Sequence, residues 1–250
     1  MVFYYYKILE VSIIMFDFSV YHIQCNIFTL KNIALNNLYE EISTYVDSVL
    51  VSDEKMKLLH TLPGYSYYSI SGFNVIEPDK IYKEGKIYTF SLRCLKEDMC
   101  NFFLKNLGEG KTDSMKGLTA TMKVIPRRYI EKLYTVTPAI IKLGGEGYWR
   151  GVLSLEEYEN RLLVNSIKKY QQLTGKQLDE NFKLYDGIRF LNRKPISSHY
   201  TKKGISLLGD KLELDISSNE MSQEVAYMLL ATGVLENNAR GFGFVNYRSI

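Results

Sequence analysis

Apolar and polar positions alternate along this chain with two different periods, and the order in which the periods follow one another repeats. Tyr21 to Leu30 (YHIQCNIFTL) is short, apolar and branched, as a strand requires. Leu35, Leu38, Tyr39, Ile42, Tyr45, Val46 and Val49 then fall at helical spacing, which predicts an amphipathic helix over Leu35 to Leu50. A short helix over Asp53 to His60 follows, then a strand over Tyr65 to Ile76. The KEGK turn at Lys83 to Lys86 leads into a strand in which Tyr88, Phe90, Leu92 and Cys94 alternate with Thr89, Ser91 and Arg93. A helix over Leu95 to Leu107 and a strand carrying Leu118, Ala120, Met122 and Val124 complete the order β-α-β-β-α-β.

Beyond Arg127-Arg128 the same order returns. A strand is expected over Leu133 to Leu143, then a helix opened by Ser154 with Glu157, the sequence form of a capping box. Strands follow near Gly187 to Asn192 and Ile205 to Leu214. Ser217 with Glu220 reads as a second box, opening a helix striped by Met221, Val225, Met228 and Leu229 and ended by Gly233; Phe242 to Tyr247 is the last strand. The expected fold is α+β, two tandem ferredoxin-like (RRM-like) domains over residues 1–130 and 131–250. That architecture hosts many functions and decides none of them.

Composition adds limits. The 250 residues are 46% hydrophobic with five prolines, which excludes a disordered or fibrous chain. Cys25, Cys94 and Cys100 form no C-x-x-C pair and are odd in number, so neither a disulfide framework nor a thiolate metal site is indicated, and a cytoplasmic setting fits. The opening MVFYYYKILEVSIIMF is interrupted by Lys7 and Glu10 and carries no cleavage site, so it reads as an extra strand or as sequence ahead of the true start. No stretch reaches the roughly 18 to 20 apolar residues of a membrane span.

The net charge of +3 says little, but its distribution is uneven. Lys183 to Lys211 holds seven basic and two acidic residues, a net of +5, and Lys111 to Lys132 holds six and two, a net of +4. Two basic segments on a nearly neutral chain suit a polyanion, although a charge run is more often a solvated face.

The stretch GVLENNARGFGFV, Gly233 to Val245, carries three glycines around a polar centre. A dinucleotide fingerprint needs its glycines after a strand and before a helix; here they follow a helix. GEGKT at Gly108 to Thr112 fails as a phosphate loop because Lys105 stands where the first glycine belongs. Gly233 suits a helix C-cap. Gly241 and Gly243, flanking Phe242 at the start of a strand, need a further reason such as close approach of another backbone. A polar, backbone-lined loop beside basic segments fits RNA better than a mononucleotide.

GVLENNARGFGFV, the two ferredoxin-like halves, and LLHTLPGYSYYSISGF at Leu58 to Phe73 together resemble the CRISPR-associated endoribonucleases of the Cas-six family, from about Tyr21 onward. Gly233, Gly241, Phe242 and Gly243 match the family's G-φ-G-x5-G-F-G loop, and His60 to Ser71 matches its Leu-His followed by an aromatic strand. The chain departs from the pattern at Leu235, where the family has a second glycine, and at Ser66, where several members have lysine.

The resemblance implies metal-independent cleavage of precursor CRISPR RNA within its repeats. The substrate's 2′-OH attacks the adjacent phosphorus, leaving a 2′,3′-cyclic phosphate and a 5′-OH, with the product retained. It needs no cofactor. It puts His60 in the proton-transfer role, for which histidine titrates in the useful range. It also puts Tyr45, fifteen residues earlier, in a second catalytic role, although Tyr45 equally fits the helix's apolar stripe. Of the other histidines, His22 reads as packing or surface, and His199 as an RNA contact or alternative acid. Lys57, one helical turn before His60, is the candidate substitute for the missing lysine. The RNA contacts expected are Arg193, Lys194, Lys202, Lys203, Asn237, Asn238, Arg240, Gly241, Phe242 and Gly243. The implied partners are CRISPR repeat RNA and crRNA, other subunits of an effector complex and a second copy in a homodimer, with no membrane. The alternative is a catalytically weak or inactive crRNA-binding subunit, favoured by Ser66 and Leu235.

Overall fold

The computed structural model describes residues 18–61, 63–144, 147–178, 182–200 and 204–249, with the side chains of residues 59–61 and 200 left out. The expected strand or upstream segment at residues 1–16 lies outside the described residues, as do Lys202 and Lys203.

The first half runs β1 (Val20–Thr29), β2 (Ile33–Ala34), α1 (Leu38–Leu50), α2 (Glu54–Thr61), β3 (Tyr68–Phe73), β4 (Ile81–Tyr82), β5 (Ile87–Cys94), α3 (Glu97–Asn106) and β6 (Met115–Ile125). Four of the strands form one antiparallel sheet in the order β3-β5-β1-β6, with β2 and β4 paired separately. The second half runs β7 (Ile130–Thr135), α4 (Leu155–Thr174), β8 (Tyr185–Phe190), β9 (Ile196–Tyr200), β10 (Ile205–Gly209), β11 (Leu212–Ile216), α5 (Glu220–Thr232) and β12 (Val245–Ser249). Its sheet has the order β12-β7-β11-β8. In each sheet the first strand lies between the last and the penultimate one, which is the ferredoxin-like order, so the chain is an α+β protein of two tandem ferredoxin-like halves.

The strand period builds the first core directly. Ile23, Cys25 and Ile27 point from β1 toward the α1 stripe of Ile42, Tyr45 and Val46, and all six are buried. The helix α5 differs because Val225 to Ala231 is continuously apolar, and Val225 to Thr232 is buried all round. It packs on β7, β11 and β12 of its own half and on β1, β3 and β5 of the other. Tyr227 of α5 donates to the Ile125 carbonyl at 2.7 Å and accepts from the Val20 amide at 3.2 Å.

Arg93 of β5 is buried at the same junction. Its guanidinium donates to the carbonyl of Val245 at 2.6 Å and to Asn246 Oδ1 at 3.3 Å, stacks over the Phe244 ring, and donates from Nε to His22 Nδ1 at 3.1 Å. Burial, Arg93 and Lys123 together lower the His22 imidazole to about 4, so it is neutral at pH 7. His22 is therefore a packing residue.

Several boundaries differ from the sequence reading. Ile205 to Leu214 is two strands, broken at Gly209-Asp210, where the buried Asp210 carboxylate accepts from Tyr148 at 2.8 Å, Trp149 Nε1 at 2.6 Å and Asn192 at 2.6 Å. The first of them, β10, leaves the sheet and pairs with β9 as a hairpin. The Ser154–Glu157 box caps α4 with both of its bonds made. The α5 helix is capped instead by Asn219, whose side chain accepts from the Ser222 amide at 3.0 Å. Among the described residues, no helix is long and apolar enough to cross a membrane and no group of three or more His, Cys, Asp or Glu is placed to hold a metal ion.

Candidate functional site

The glycine stretch folds back on itself. Gly233 ends α5 at φ 71°, donating its amide to the Leu229 carbonyl at 2.8 Å. Val234 N then donates to Gly243 O at 2.9 Å, and Gly243 N to Pro138 O at 2.8 Å. Asn238 closes the loop from within, its Nδ2 donating to the carbonyls of Val234 and Phe242, both at 2.9 Å. A Cβ on Gly233 would stand 2.6 Å from Asn238 Nδ2, and one on Gly243 would overlap the Val234 carbonyl oxygen. These glycines therefore permit backbone to meet backbone.

Leu235, where the Cas-six pattern has a glycine, adopts the left-handed conformation that glycine would favour, at φ 54°, and it is buried. The backbone path expected of a glycine is kept without one. The strain, about 1–2 kcal/mol, is offset by burial of an isobutyl side chain, worth about 1.5–3 kcal/mol.

A second loop faces this one. Following α2, the segment Pro63 to Tyr67 is held to α4 by Gln172, which donates from Nε2 to Tyr65 O and accepts at Oε1 from Tyr65 N, both at 2.8 Å. Between the two loops lies a groove of about 640 Å³. Tyr65 and Tyr67 line one side, Glu236, Asn237 and Arg240 the other, and Lys142, Asn165 and Gln172 also contribute. Asn165 is buried, and no partner for its Oδ1 is found among the described residues. Burial and the nearby Glu236 raise the Tyr65 hydroxyl, while Asn165 opposes the shift by a hydrogen bond.

Beneath the groove is Lys169 of α4. Its Nζ donates to the carbonyls of Gly233 and Leu235, both at 2.8 Å, and to Asn238 Oδ1 at 2.7 Å. Burial lowers this amine to about 7, with Glu236 pulling the other way.

The structure brings together only part of the expected site. Asn237, Asn238 and Arg240 line the groove. Gly241, Phe242 and Gly243 are buried, with Phe242 packed on Tyr39 at 5.3 Å between ring centroids, so the Phe242 side chain is not offered to a ligand. Tyr45 is fully buried in the first core, its hydroxyl donating to the Leu107 carbonyl; that hydroxyl meets no solvent and cannot touch an RNA phosphate in this state. His60 stands in the last turn of α2, three residues before groove-lining Pro63, and its side chain lies outside the described set. Lys57 is exposed and does not line the groove.

Arg193 and Lys194 are exposed ahead of β9, and exposed His199 lies on the hairpin, 3.4 Å from Ser206 Oγ; none of the three lines the groove. The basic segments are also partly neutralised. Lys132 pairs with Glu213 at 3.1 Å and Asp215 at 2.6 Å, Arg189 pairs with Glu213, and Lys183 with Asp186 at 3.0 Å.

Sequence reading missed Lys142, Asn165, Gln172 and Lys169. A signal existed for two of them. Tyr158, Leu162, Asn165, Ser166, Lys169 and Tyr170 are the buried stripe of α4, and they recur at spacings of three and four.

No family model matches the sequence, and no curated protein matches it. Solved structures do match. A CRISPR-associated protein Cas6 superposes with a TM-score of 0.68 at 18% identity, covering 92% of this chain and 100% of the other. A RAMP protein described as binding different RNA substrates gives 0.68 at 21% identity over 92% and 100%. A Cas6-related protein from Pyrococcus furiosus gives 0.63 at 18% over 92% and 98%. Across nine-tenths of its length the chain has the fold of these Cas6 and RAMP structures.

Proposed function

We propose that this protein is a Cas6-type RNA-processing protein that binds CRISPR repeat RNA in the groove and cuts it without a metal ion. The observation that carries the reading is the groove itself. The loop that follows His60 forms one wall and the glycine loop the other, on a chain with the fold of Cas6 over 92% of its length.

The chemistry suits single-stranded RNA. Tyr65 and Tyr67 offer partly exposed rings on which bases stack, worth about 1–3 kcal/mol per base. Lys142 and Arg240 bring cations to the groove for phosphate. In the proposed reaction the 2′-oxygen attacks the adjacent phosphorus and the 5′-oxygen leaves. The proton from the 2′-OH passes to a base and another proton goes to the departing 5′-oxygen. His60 serves as one of these proton-transfer groups, a role worth about 10²–10⁴-fold. Cations at the groove edge meet the charge that gathers on the phosphorane oxygens. Tyr45, buried in the core, has no part in the reaction. The exposed Arg193 and Lys194, with Lys202 and Lys203, serve as a second, non-reacting contact for the repeat's phosphates, and the cut crRNA stays bound for transfer to effector subunits.

A second reading, a crRNA-binding subunit without activity, is favoured by one observation: Ser66 lines the groove where several Cas-six members carry lysine. One assay separates the two. Repeat RNA incubated with purified protein in EDTA gives a single cut under the first reading, and 2′-deoxy substitution at the scissile nucleotide abolishes it. Specific binding without a cut supports the second reading, and a cut that survives 2′-deoxy substitution rules out the 2′-OH mechanism.

A further inference from the structure

The groove wall made by the glycine loop has little regular structure of its own, and besides its internal bonds it is held by a side chain from the neighbouring helix. Between α5 and β12 the loop has one short turn of 3-10 helix at Asn238–Arg240, and two non-glycine residues with left-handed backbones, Leu235 and Asn237. Three acceptors of this loop, Gly233 O, Leu235 O and Asn238 Oδ1, converge on one point, and Lys169 Nζ occupies it. An ammonium has three N–H donors and a neutral amine has two. The match of three acceptors at 2.7–2.8 Å to three donors is the geometry of the charged form.

We infer that Lys169 is the positioning residue of the groove: its ammonium group fixes the Gly233–Asn238 turn, sets where Glu236, Asn237 and Arg240 stand, and so governs recognition of RNA there. The inference rests on the RNA-binding reading given above for what the groove holds. It does not rest on that reading for what Lys169 does to the loop.

The surroundings of the amine support this. Glu236 on the glycine loop is the acidic group that favours its charge. Tyr65, on the facing loop, turns its ring to the amine at 5.8 Å from the centroid. From α5 only the Thr232 carbonyl approaches, at 3.5 Å. With burial bringing the amine to about 7, loss of the third donor falls within an accessible pH range. Above that range one of the three acceptors loses its partner, and Lys169 holds the turn by two bonds instead of three. Lys169 is thus a buried cation placed for the loop and not for a phosphate, and its effect on RNA acts through residues 236–240.

The test is amide hydrogen exchange of the full chain without RNA, corrected for the intrinsic pH dependence of exchange, comparing residues 233–244 with α5 as internal reference. Lys169→Met is expected to raise loop exchange about tenfold or more relative to α5, the factor one charge-assisted hydrogen bond is worth. In the wild type, the loop is expected to lose protection relative to α5 between pH 6 and 9. Repeat-RNA affinity is expected to fall in parallel over the same range. Should Lys169→Met not fold, the wild-type pH series decides alone. A loop whose protection relative to α5 is flat across pH overturns the inference, and so does loosening of the loop with no change in RNA affinity. Wild-type protein that binds no repeat RNA at any pH removes the RNA reading, while the exchange data still judge the role of Lys169 in the loop.

Discussion

The ring of Tyr39, on α1 of the first half, occupies the space that a side chain on Gly241 would need: a Cβ there would stand 2.9 Å from Tyr39 Cδ1. Gly241 also has φ 89°, so two independent reasons require glycine at this point. Through this contact and the neighbouring Phe242, the glycine loop is pressed against the half that carries His60.

Gly241→Ala is accordingly expected to destabilise the protein by about 2–4 kcal/mol, the sum of a left-handed alanine and an overpacked contact. Gly85→Ala serves as the comparison, because Gly85 has φ 76° but nothing within 4 Å of its Cβ position, and it should cost only about 1 kcal/mol. Denaturant unfolding of the two variants measures both. Equal losses would mean that the Tyr39 contact yields freely.

Leu235→Gly restores the glycine of the Cas-six pattern and relieves the left-handed strain, but it removes a buried side chain. Truncating a buried leucine costs about 2–5 kcal/mol and the strain returns about 1–2 kcal/mol, so a net loss of up to about 4 kcal/mol is expected in chemical denaturation. A variant more stable than wild type would show that the Leu235 packing contributes little.

How much of this could be read beforehand depends on the kind of constraint. The alternation in Ile87–Cys94 and the stripe of Leu38–Leu50 are direct consequences of burying one face, and both elements lie where the pattern places them. Gly233 as helix terminator was equally legible, because a C-cap with positive φ is a local requirement that glycine meets. The break at Gly209-Asp210 was not. It depends on Tyr148, Trp149 and Asn192 meeting one carboxylate, and those residues are distant in the chain. The site divided in the same way. Asn237 and Arg240 were legible from their place in a polar loop, whereas Lys142 and Gln172 belong to the groove only because α4 and the β7–α4 connection pass behind it. Phe242 and Tyr45 are both buried, which the sequence did not decide, because an aromatic residue in a motif looks alike whether it faces solvent or core.

The buried junction between the halves has a pH signature. The His22 imidazole titrates at about 4 in the folded state and near 6.5 when unfolded. Between these values the unfolded chain binds the extra proton, so stability is held above about pH 6.5 and falls as pH drops toward 4. His22→Gln is expected to flatten that part of the stability curve, measured by urea unfolding at pH 4.5, 5.5 and 6.5. An unchanged slope would assign the acid sensitivity to carboxylates elsewhere.

Arg93→Ala removes the guanidinium that donates to Val245 O and Asn246 Oδ1 across that junction. It leaves buried acceptors without donors, each costing about 1–3 kcal/mol. We expect a loss of about 2–5 kcal/mol, seen as a lower midpoint in thermal unfolding. A midpoint within a degree of wild type would mean that water replaces the guanidinium at no cost.

The central claim is that RNA lies in the groove between the Pro63–Tyr67 and Leu235–Arg240 loops. It is tested most directly by the salt dependence of repeat-RNA binding to wild type and to the double variant Lys142→Ala/Arg240→Ala. If these two cations meet phosphates, affinity falls at least tenfold at low salt. The slope of log K against log salt becomes shallower by about 1.4, or about 0.7 for each contact to a single strand. An affinity and a slope equal to those of the wild type would contradict the account and place the RNA elsewhere on the protein.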